Sequence, residues 1–324
     1  IHFLGKPPAV SILLPALKSV RPEIMLSVPL LMEKVYKSAV VPVIRDNKRI
    51  AKLIKNPLFA SFIYKTIGRK LKITFGGRLK FFGIGGAALE PEVETFLYRA
   101  KFPYALGYGL TETSPLIAGC GPKNHKPGAL GGLVEDVELR LLDKNEEGVG
   151  EIAVKGPSVM NGYYKNDELN KEAFTEDGYF RTGDLGSLTK KNKLVIRGRC
   201  KTMILGPAGE NIYPESIEYL INTQEFVQES LVVPENGTLL ALVKLDIEMM
   251  AKNMAISIED ANEEAKKYVT QLKARLNKEL STQNRIDSVQ LQEEPFDRTA
   301  TQKIKRFLYP KKNAQKHSED EKKD

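Results

Sequence analysis

Tyr108-Gly109-Leu110-Thr111-Glu112-Thr113-Ser114-Pro115 puts an aromatic ring, hydroxyls and a carboxylate into one short segment. A tyrosine between Gly107 and Gly109 can stack on a purine while the backbone comes close to it. The Thr111 hydroxyl and the Glu112 carboxylate suit a phosphate–magnesium site, because Mg²⁺ prefers hard oxygen ligands together with substrate phosphates. Upstream, Gly83-Ile84-Gly85-Gly86 leads into Ala87-Ala88. By itself that cluster fits a plain strand-to-helix turn equally well.

Four later segments extend the set. Tyr179-Phe180-Arg181-Thr182-Gly183-Asp184-Leu185-Gly186 holds an aspartate in what reads as a tight turn at a strand start. Such an Asp either forms the turn or accepts hydrogen bonds from two ribose hydroxyls. Ile196-Arg197-Gly198-Arg199-Cys200-Lys201 follows, then the loop from Gly206 to Glu218 that contains Gly209. Finally, Arg298-Thr299-Ala300-Thr301-Gln302-Lys303-Ile304-Lys305-Arg306 places Lys303 in a polar loop.

The elements that must position these groups follow from periodicity. Residues 1–75 read as helices around one apolar run, Ile24–Val28, and Lys48–Lys72 is basic and helical. Leu79–Ile84 reads as a buried strand. In Glu90–Lys101 the residues Val93, Phe96, Leu97 and Ala100 recur at helical spacing, and Tyr104–Gly107 starts a second strand. A strand–helix–strand crossover makes the two strands parallel. Both glycine loops then share the carboxyl edge of the sheet, where open α/β sheets bind ligands. After Gly128 the alternation at Val137, Leu139, Leu141 and at Ile152, Val154 predicts an antiparallel hairpin. Leu185–Leu188 and Lys193–Arg197 predict another, in a small β subdomain or barrel. From Lys201 an α+β unit follows, with strands at Val227–Val233, Leu239–Leu245 and Val289–Leu291 and a long helix near Ile258–Leu280.

The chain has 324 residues, 42% hydrophobic and 28% charged, an ordinary globular balance. Two distant cysteines (Cys120 and Cys200) and three histidines make a zinc site a poor fit. The few thiols suit a reducing cytoplasm. No run reaches the roughly 18–20 apolar residues of a membrane span. The net charge of +8 is compatible with ATP, CoA, nucleic acid or an anionic membrane as partner. Much charge sits in the mixed tail from Lys311 to Asp324, which reads as disordered. The basic helical stretch fits either packing on a sheet or lying on a membrane surface.

Taken in order, these motifs resemble the adenylate-forming superfamily of acyl-CoA synthetases, luciferases and peptide-synthetase adenylation domains. The chain is most similar to the C-terminal part of the long-chain fatty-acid–CoA ligases, up to about Lys312. The resemblance implies an α/β with α+β fold: residues 1–127 from a parallel-sheet nucleotide-binding subdomain, 128–200 a small antiparallel β subdomain, 201–312 a hinged α+β lid and 313–324 a tail. It implies that Gly86, Ala87 and Ala88 line adenine, with Tyr108 between Gly107 and Gly109 stacked on it. Thr111 would touch the α-phosphate, Glu112 would hold Mg²⁺, and Asp184 and Arg199 would grip the ribose. Lys201 matches the hinge, Gly209 the lid loop near CoA, and Lys303 the lysine needed for adenylation. ATP, Mg²⁺, CoA and a fatty acid are the implied cofactors and partners, and nucleic acid is not among them. A cytoplasmic protein, peripheral at the inner membrane face, would suit a long-chain substrate.

Departures are mild. Gln302 stands where many relatives have glycine, Arg298 replaces a common lysine and Ala88 a frequent proline. A hydroxyl- and glycine-rich phosphate loop, expected upstream, is not in the sequence, so the chain reads as a fragment lacking turnover. Two alternatives remain: transfer to a carrier-protein thiol, and a noncatalytic nucleotide-binding module. The motifs do not encode acyl length or oligomeric state.

Overall fold

A computed structural model of the chain describes residues 10–207, 209–299 and 304–309, and the chain divides into two units, Ile1–Ile196 and Arg197–Asp324. In the first unit, α1 (Val10–Val20) precedes β1 (Ile24–Ser27), and α1 tolerates Pro15 inside it. Next come α2 (Pro29–Val35), two π-helical turns (Tyr36–Val40 and Pro42–Asp46), α3 (Lys48–Ile54) and α4 (Pro57–Thr74). Then β2 (Phe81–Ile84), α5 (Pro91–Arg99) and β3 (Tyr104–Tyr108) form the crossover that the periodicity predicts.

The helix α5 forms for legible reasons. Pro91 opens it, Glu92 and Glu94 sit at its positive end and Arg99 at its negative end. Val93, Phe96, Leu97 and Ala100 are all buried, each large apolar one contributing about 1.5–3 kcal/mol by leaving water. Beneath the sheet, Phe75, Phe82 and Phe102 meet edge to face. β1, β2 and β3 are parallel, with Ile84 opposite Leu106. The short strands β4 (Ala118–Gly119) and β5 (Gly132–Leu133) add antiparallel and complete a five-stranded sheet in the order β1-β2-β3-β4-β5.

A second sheet holds β6 (Glu138–Leu142), β7 (Gly150–Lys155), β8 (Phe180–Leu188) and β9 (Leu194–Arg199) in sequence order, with α6 (Asp167–Ala173) between β7 and β8. The expected hairpin of β6 and β7 is present, with Leu139 opposite Val154. The barrel alternative is not realised: the sheet has four strands in an open linear order.

The second unit begins with a small ribbon of β10 (Ile204–Leu205) and β11 (Asn211–Ile212), followed by α7 (Pro214–Asn222). The segment from Gly206 to Glu218, expected to be a loop, therefore holds a strand and the first turns of a helix. Next are β12 (Val227–Glu235), β13 (Thr238–Leu245), α8 (Ile247–Met254), α9 (Ile258–Glu279) and β14 (Ser288–Leu291). β12 and β13 are antiparallel, and β14 joins β13 in parallel. Both faces of this sheet are covered. Val232, Ala241 and Val243 belong to the helix-side core, while Leu231, Val233, Leu240 and Leu242 pack with Phe296 and Tyr309. Double coverage explains why these strands read as unbroken apolar runs. Among the described residues no helix is long and apolar enough to cross a membrane.

Candidate functional site

Parallel pairing brings the two glycine segments of the first unit side by side. β2 ends at Ile84, and a side chain on Gly85 would touch the Gly107 carbonyl at 3.4 Å. Gly86 has φ +86° and open space around it, so only glycine turns the chain there without strain. Gly86, Ala87 and Ala88 are exposed beyond the strand end.

The turn after β3 is fixed by backbone contact and one buried hydroxyl. A Cβ on Gly109 would lie 1.6 Å from the Pro115 carbonyl oxygen, so no side chain fits. Thr113, fully buried, accepts the Leu110 N–H at 3.0 Å, and its hydroxyl lies at the same distance from the carbonyls of Leu110 and Pro115. The result is a tight turn over Thr111–Thr113 that leaves Thr111 exposed and Glu112 half-buried.

Asp184 is not at a strand start, as the sequence suggests, but inside β8. There β7 advances two residues, Glu151 to Ala153, while β8 advances four, Arg181 to Leu185. The surplus forms a bulge with Gly183 at φ +68°. Its geometry is held by Thr182 donating to the Ile152 carbonyl (2.8 Å) and by the Gly183 N–H donating to Glu151 Oε1 (3.2 Å). Asp184 Oδ2 accepts the Tyr108 hydroxyl at 2.8 Å. Two motifs 76 residues apart therefore meet in one hydrogen bond.

Glu112 is tied down from elsewhere. Its carbonyl accepts the Met160 N–H at 2.8 Å, and its Oε1 accepts the Tyr163 hydroxyl at 3.0 Å. Asn170 of α6 clamps the Tyr163 backbone through both its amide oxygen (2.7 Å) and its amide nitrogen (3.0 Å). Partial burial, and next the neighbouring carboxylate, push the Tyr163 phenol up, so it stays a donor. Tyr163, Thr182 and Glu151 are not among the site residues that the sequence suggests. Tyr163 lies in Gly162-Tyr163-Tyr164, whose aromatic pair after a glycine is the only signal it offers.

In the second unit, Arg199 is exposed at the end of β9, and Lys201 is exposed in the turn that follows. That turn is closed by Met203 N–H to Arg199 O at 3.0 Å and by the Thr202 hydroxyl to Glu215 at 2.7 Å. Gly209, φ +83°, sits exposed between β10 and β11. Lys303 lies outside the described residues. Its flanks Arg298 and Ile304 pair antiparallel, and the Lys305 N–H donates to Asp297 O at 2.8 Å.

Among the described residues no group of three or more His, Cys, Asp or Glu side chains could cage a metal. A single half-exposed glutamate fits Mg²⁺ instead, since that ion is usually held by one or two carboxylates plus substrate phosphates.

The profile of the AMP-binding enzyme family matches residues 1–164, just over half of the 324. The chain belongs to the AMP-binding enzyme family. This AMP-binding enzyme chain is 32% identical over 255 residues to the peroxisomal long chain acyl-CoA synthetase 7 of Arabidopsis thaliana, covering 71% of this chain and 36% of that protein. It is 31% identical over 260 residues to the long-chain-fatty-acid–CoA ligase FadD15 of Mycobacterium bovis, covering 73% of this chain and 42% of that one. The chain thus spans well under half the length of these curated relatives. In fold it matches ATP-bound MatB from Rhodopseudomonas palustris, with a TM-score of 0.70 at 24% identity over 96% of this chain and 54% of that one. The adenylate-forming architecture and the α/β with α+β class are therefore those of this AMP-binding enzyme chain.

Proposed function

We propose that the chain carries the mononucleotide site of an ATP-dependent long-chain fatty-acid–CoA ligase. The observation that supports this most is the Tyr108–Asp184 hydrogen bond. It sets an aromatic ring beside a carboxylate, the pair of groups that recognition of a purine nucleoside needs. Asp184 would accept from ribose hydroxyls, Tyr108 would stack on the base, and Gly86, Ala87 and Ala88 would let the base lie against bare backbone. The exposed Thr111 hydroxyl would donate to the α-phosphate.

In the whole enzyme a fatty carboxylate would attack the α-phosphorus in line and expel pyrophosphate. The CoA thiolate would then attack the carbonyl of the acyl-adenylate and release AMP. Negative charge grows on phosphate oxygens in the first step, so groups that meet that charge lower the barrier more than they favour the ground state. Mg²⁺, when bound, supplies such charge neutralisation. Glu112 would hold it, with Oε1 oriented by Tyr163. Among the described residues Oε2 has no hydrogen-bond partner, which leaves it available as a ligand.

The roles of Arg199 on the ribose, Lys201 as hinge, Gly209 beside CoA and Lys303 in adenylation rest on sequence resemblance. CoA as acceptor is supported by the names of the similar ligases, and the domain limits at 127, 200 and 312 belong to the same reading. The chain taken alone, by this reading, binds AMP weakly and turns nothing over. Calorimetric titration with AMP tests it: binding that Tyr108→Ala and Asp184→Ala each abolish is expected. Binding indifferent to both substitutions overturns the site. Fatty-acid-dependent exchange of labelled pyrophosphate into ATP by this chain would overturn the lack of turnover.

A further inference from the structure

The excess positive charge of this chain has one address. Residues 47–89 contain ten Lys and Arg and no Asp or Glu, while the other 281 residues carry 39 basic against 41 acidic side chains. The tail from Lys311, with five lysines and four carboxylates, contributes almost nothing to the excess. The basic segment is α3, α4 and the approach to β2. Two of its cations, Arg78 and Lys80, pair with Glu23.

Along α4 the outward positions are unusual in kind. Phe59, Phe62, Arg69, Lys70 and Ile73 fall within an arc of about 100° on the helical repeat. Phe59 is 52% exposed, Phe62 69% and Ile73 62%. Arg69 and Lys70 are exposed among them, with Lys65 beside them. The opposite face buries Ile67 and Leu71 in the core. Next to the outward stripe lies an apolar recess of about 250 Å³ behind Phe62, Thr66 and Lys70, floored by Val40, Val43 and Ile63.

We propose that this face of α3 and α4 docks on an anionic lipid bilayer. A nucleic acid or an acidic protein would account for the cations alone. Large exposed aromatic and aliphatic side chains flanking lysine and arginine on one helix face are instead the pattern of a helix lying in the headgroup region, with apolar side chains in the acyl boundary and cations at the phosphates. The recess adds apolar volume behind a charged rim. The surface is independent of the nucleotide site, so the two readings stand or fall separately.

Co-sedimentation of the chain with phosphatidylcholine vesicles, with and without phosphatidylserine, tests the proposal. Binding is expected only with phosphatidylserine. It should weaken at least about tenfold in Lys65→Glu/Arg69→Glu/Lys70→Glu and about as much in Phe59→Ser/Phe62→Ser, because charge and apolar insertion both contribute. All five positions lie on the outward face, and far-UV circular dichroism with thermal melts confirms that each variant is folded. A milder set, with glutamine at the three cationic positions, should fall between wild type and the charge reversal. No binding to anionic vesicles overturns the proposal. So does binding that only the charge variants lower while the phenylalanine variant matches wild type, since that marks a polyanion site, and heparin or RNA would then compete. Binding unchanged in every variant places the contact elsewhere and also overturns it.

Discussion

Glu218 in the second unit and Glu112 in the first are both held by neighbours, but on different terms. Glu218 is buried, and its carboxylate receives Arg306 through two guanidinium nitrogens, one at 2.8 Å, as well as the Val232 N–H at 2.6 Å. Arg306 in turn donates to the Val232 carbonyl at 3.0 Å. Burial pushes the Glu218 carboxyl up and the guanidinium pulls it back, so its charge is consumed by the fold. Glu112 accepts the Tyr163 hydroxyl and Asp184 the Tyr108 hydroxyl. A phenol orients a carboxylate without bringing a counter-charge, whereas an arginine orients it and neutralises it at once. The difference separates a structural acid from a site acid without reference to sequence motifs.

The sharpest way to break that contrast is to remove the partner of the structural acid. Arg306→Met should leave Glu218 buried without its counter-charge and destabilise the second unit by about 3–5 kcal/mol. Urea unfolding of the chain measures it, read as loss of the second unit's transition. Glu218→Gln/Arg306→Met should recover much of the loss, because no lone charge then remains buried. A single substitution costing under about 1 kcal/mol would make the pair a surface ornament.

At the site acid, Asp184→Asn keeps an oxygen that can accept from Tyr108 but turns the other oxygen into a donor. AMP affinity should fall about 10–100-fold, the worth of about 1.5–3 kcal/mol for hydrogen bonds to a charged group. Stability to urea should hardly change. The opposite result, intact affinity with lost stability, would move Asp184 into the class of Glu218.

Much of this arrangement is legible in the sequence, and the parts that are not share a cause. Repeating patterns such as Val93, Phe96, Leu97 and Ala100 report burial directly, so α5 and the parallel strands beside it follow from spacing alone. The hairpin of β6 and β7 is likewise written in alternation. The bulge that seats Asp184 is not, because it arises from a mismatch in advance between β7 and β8, and no local run of residues encodes a mismatch between distant strands. Tyr163 escapes for a similar reason: its partner Glu112 is 51 residues away and its anchor Asn170 sits in another element. The glycine segments become informative only when pairing sets them side by side. The Gly206–Glu218 segment reads as a loop because Asn211–Ile212 is too short a strand for periodicity to show.

A fourth carboxylate, Glu94, belongs to neither class. It is 4% exposed, accepts the Gly128 N–H through Oε2 at 3.0 Å, and its Oε1 is buried without a hydrogen-bond partner, as are Tyr104 Oη and His125 Nε2. Burial pushes the Glu94 carboxyl up. The folded state then holds this proton more tightly than the unfolded chain does. Stability is therefore fully present below the ordinary carboxyl value and is lost as pH rises through the folded value. Glu94→Gln should retain the bond to Gly128, raise stability by about 1–2 kcal/mol at neutral pH and flatten this slope. Thermal melts from mildly acidic to mildly basic pH decide it. His125, which burial pushes down, contributes with the opposite sign in both proteins and cancels in the difference. A variant no more stable than wild type at neutral pH would mean that Glu94 is paid for in some other way.

The finest cut falls on the phenol that orients Glu112. Tyr163→Phe removes one hydrogen bond and little else, since the Asn170 clamp on the backbone stays. Stability should drop by only about 0.5–1.5 kcal/mol. If Glu112 holds Mg²⁺, a freely rotating carboxylate pays more entropy to bind the ion, so the Mg²⁺ concentration needed for half-maximal ATP binding should rise several-fold. Binding of AMP without the metal should be unchanged. That split is what separates orientation of a ligand from support of the turn: a supporting role predicts the same small stability loss, no change in the Mg²⁺ requirement, and the assignment of Glu112 as the metal's carboxylate then fails with it.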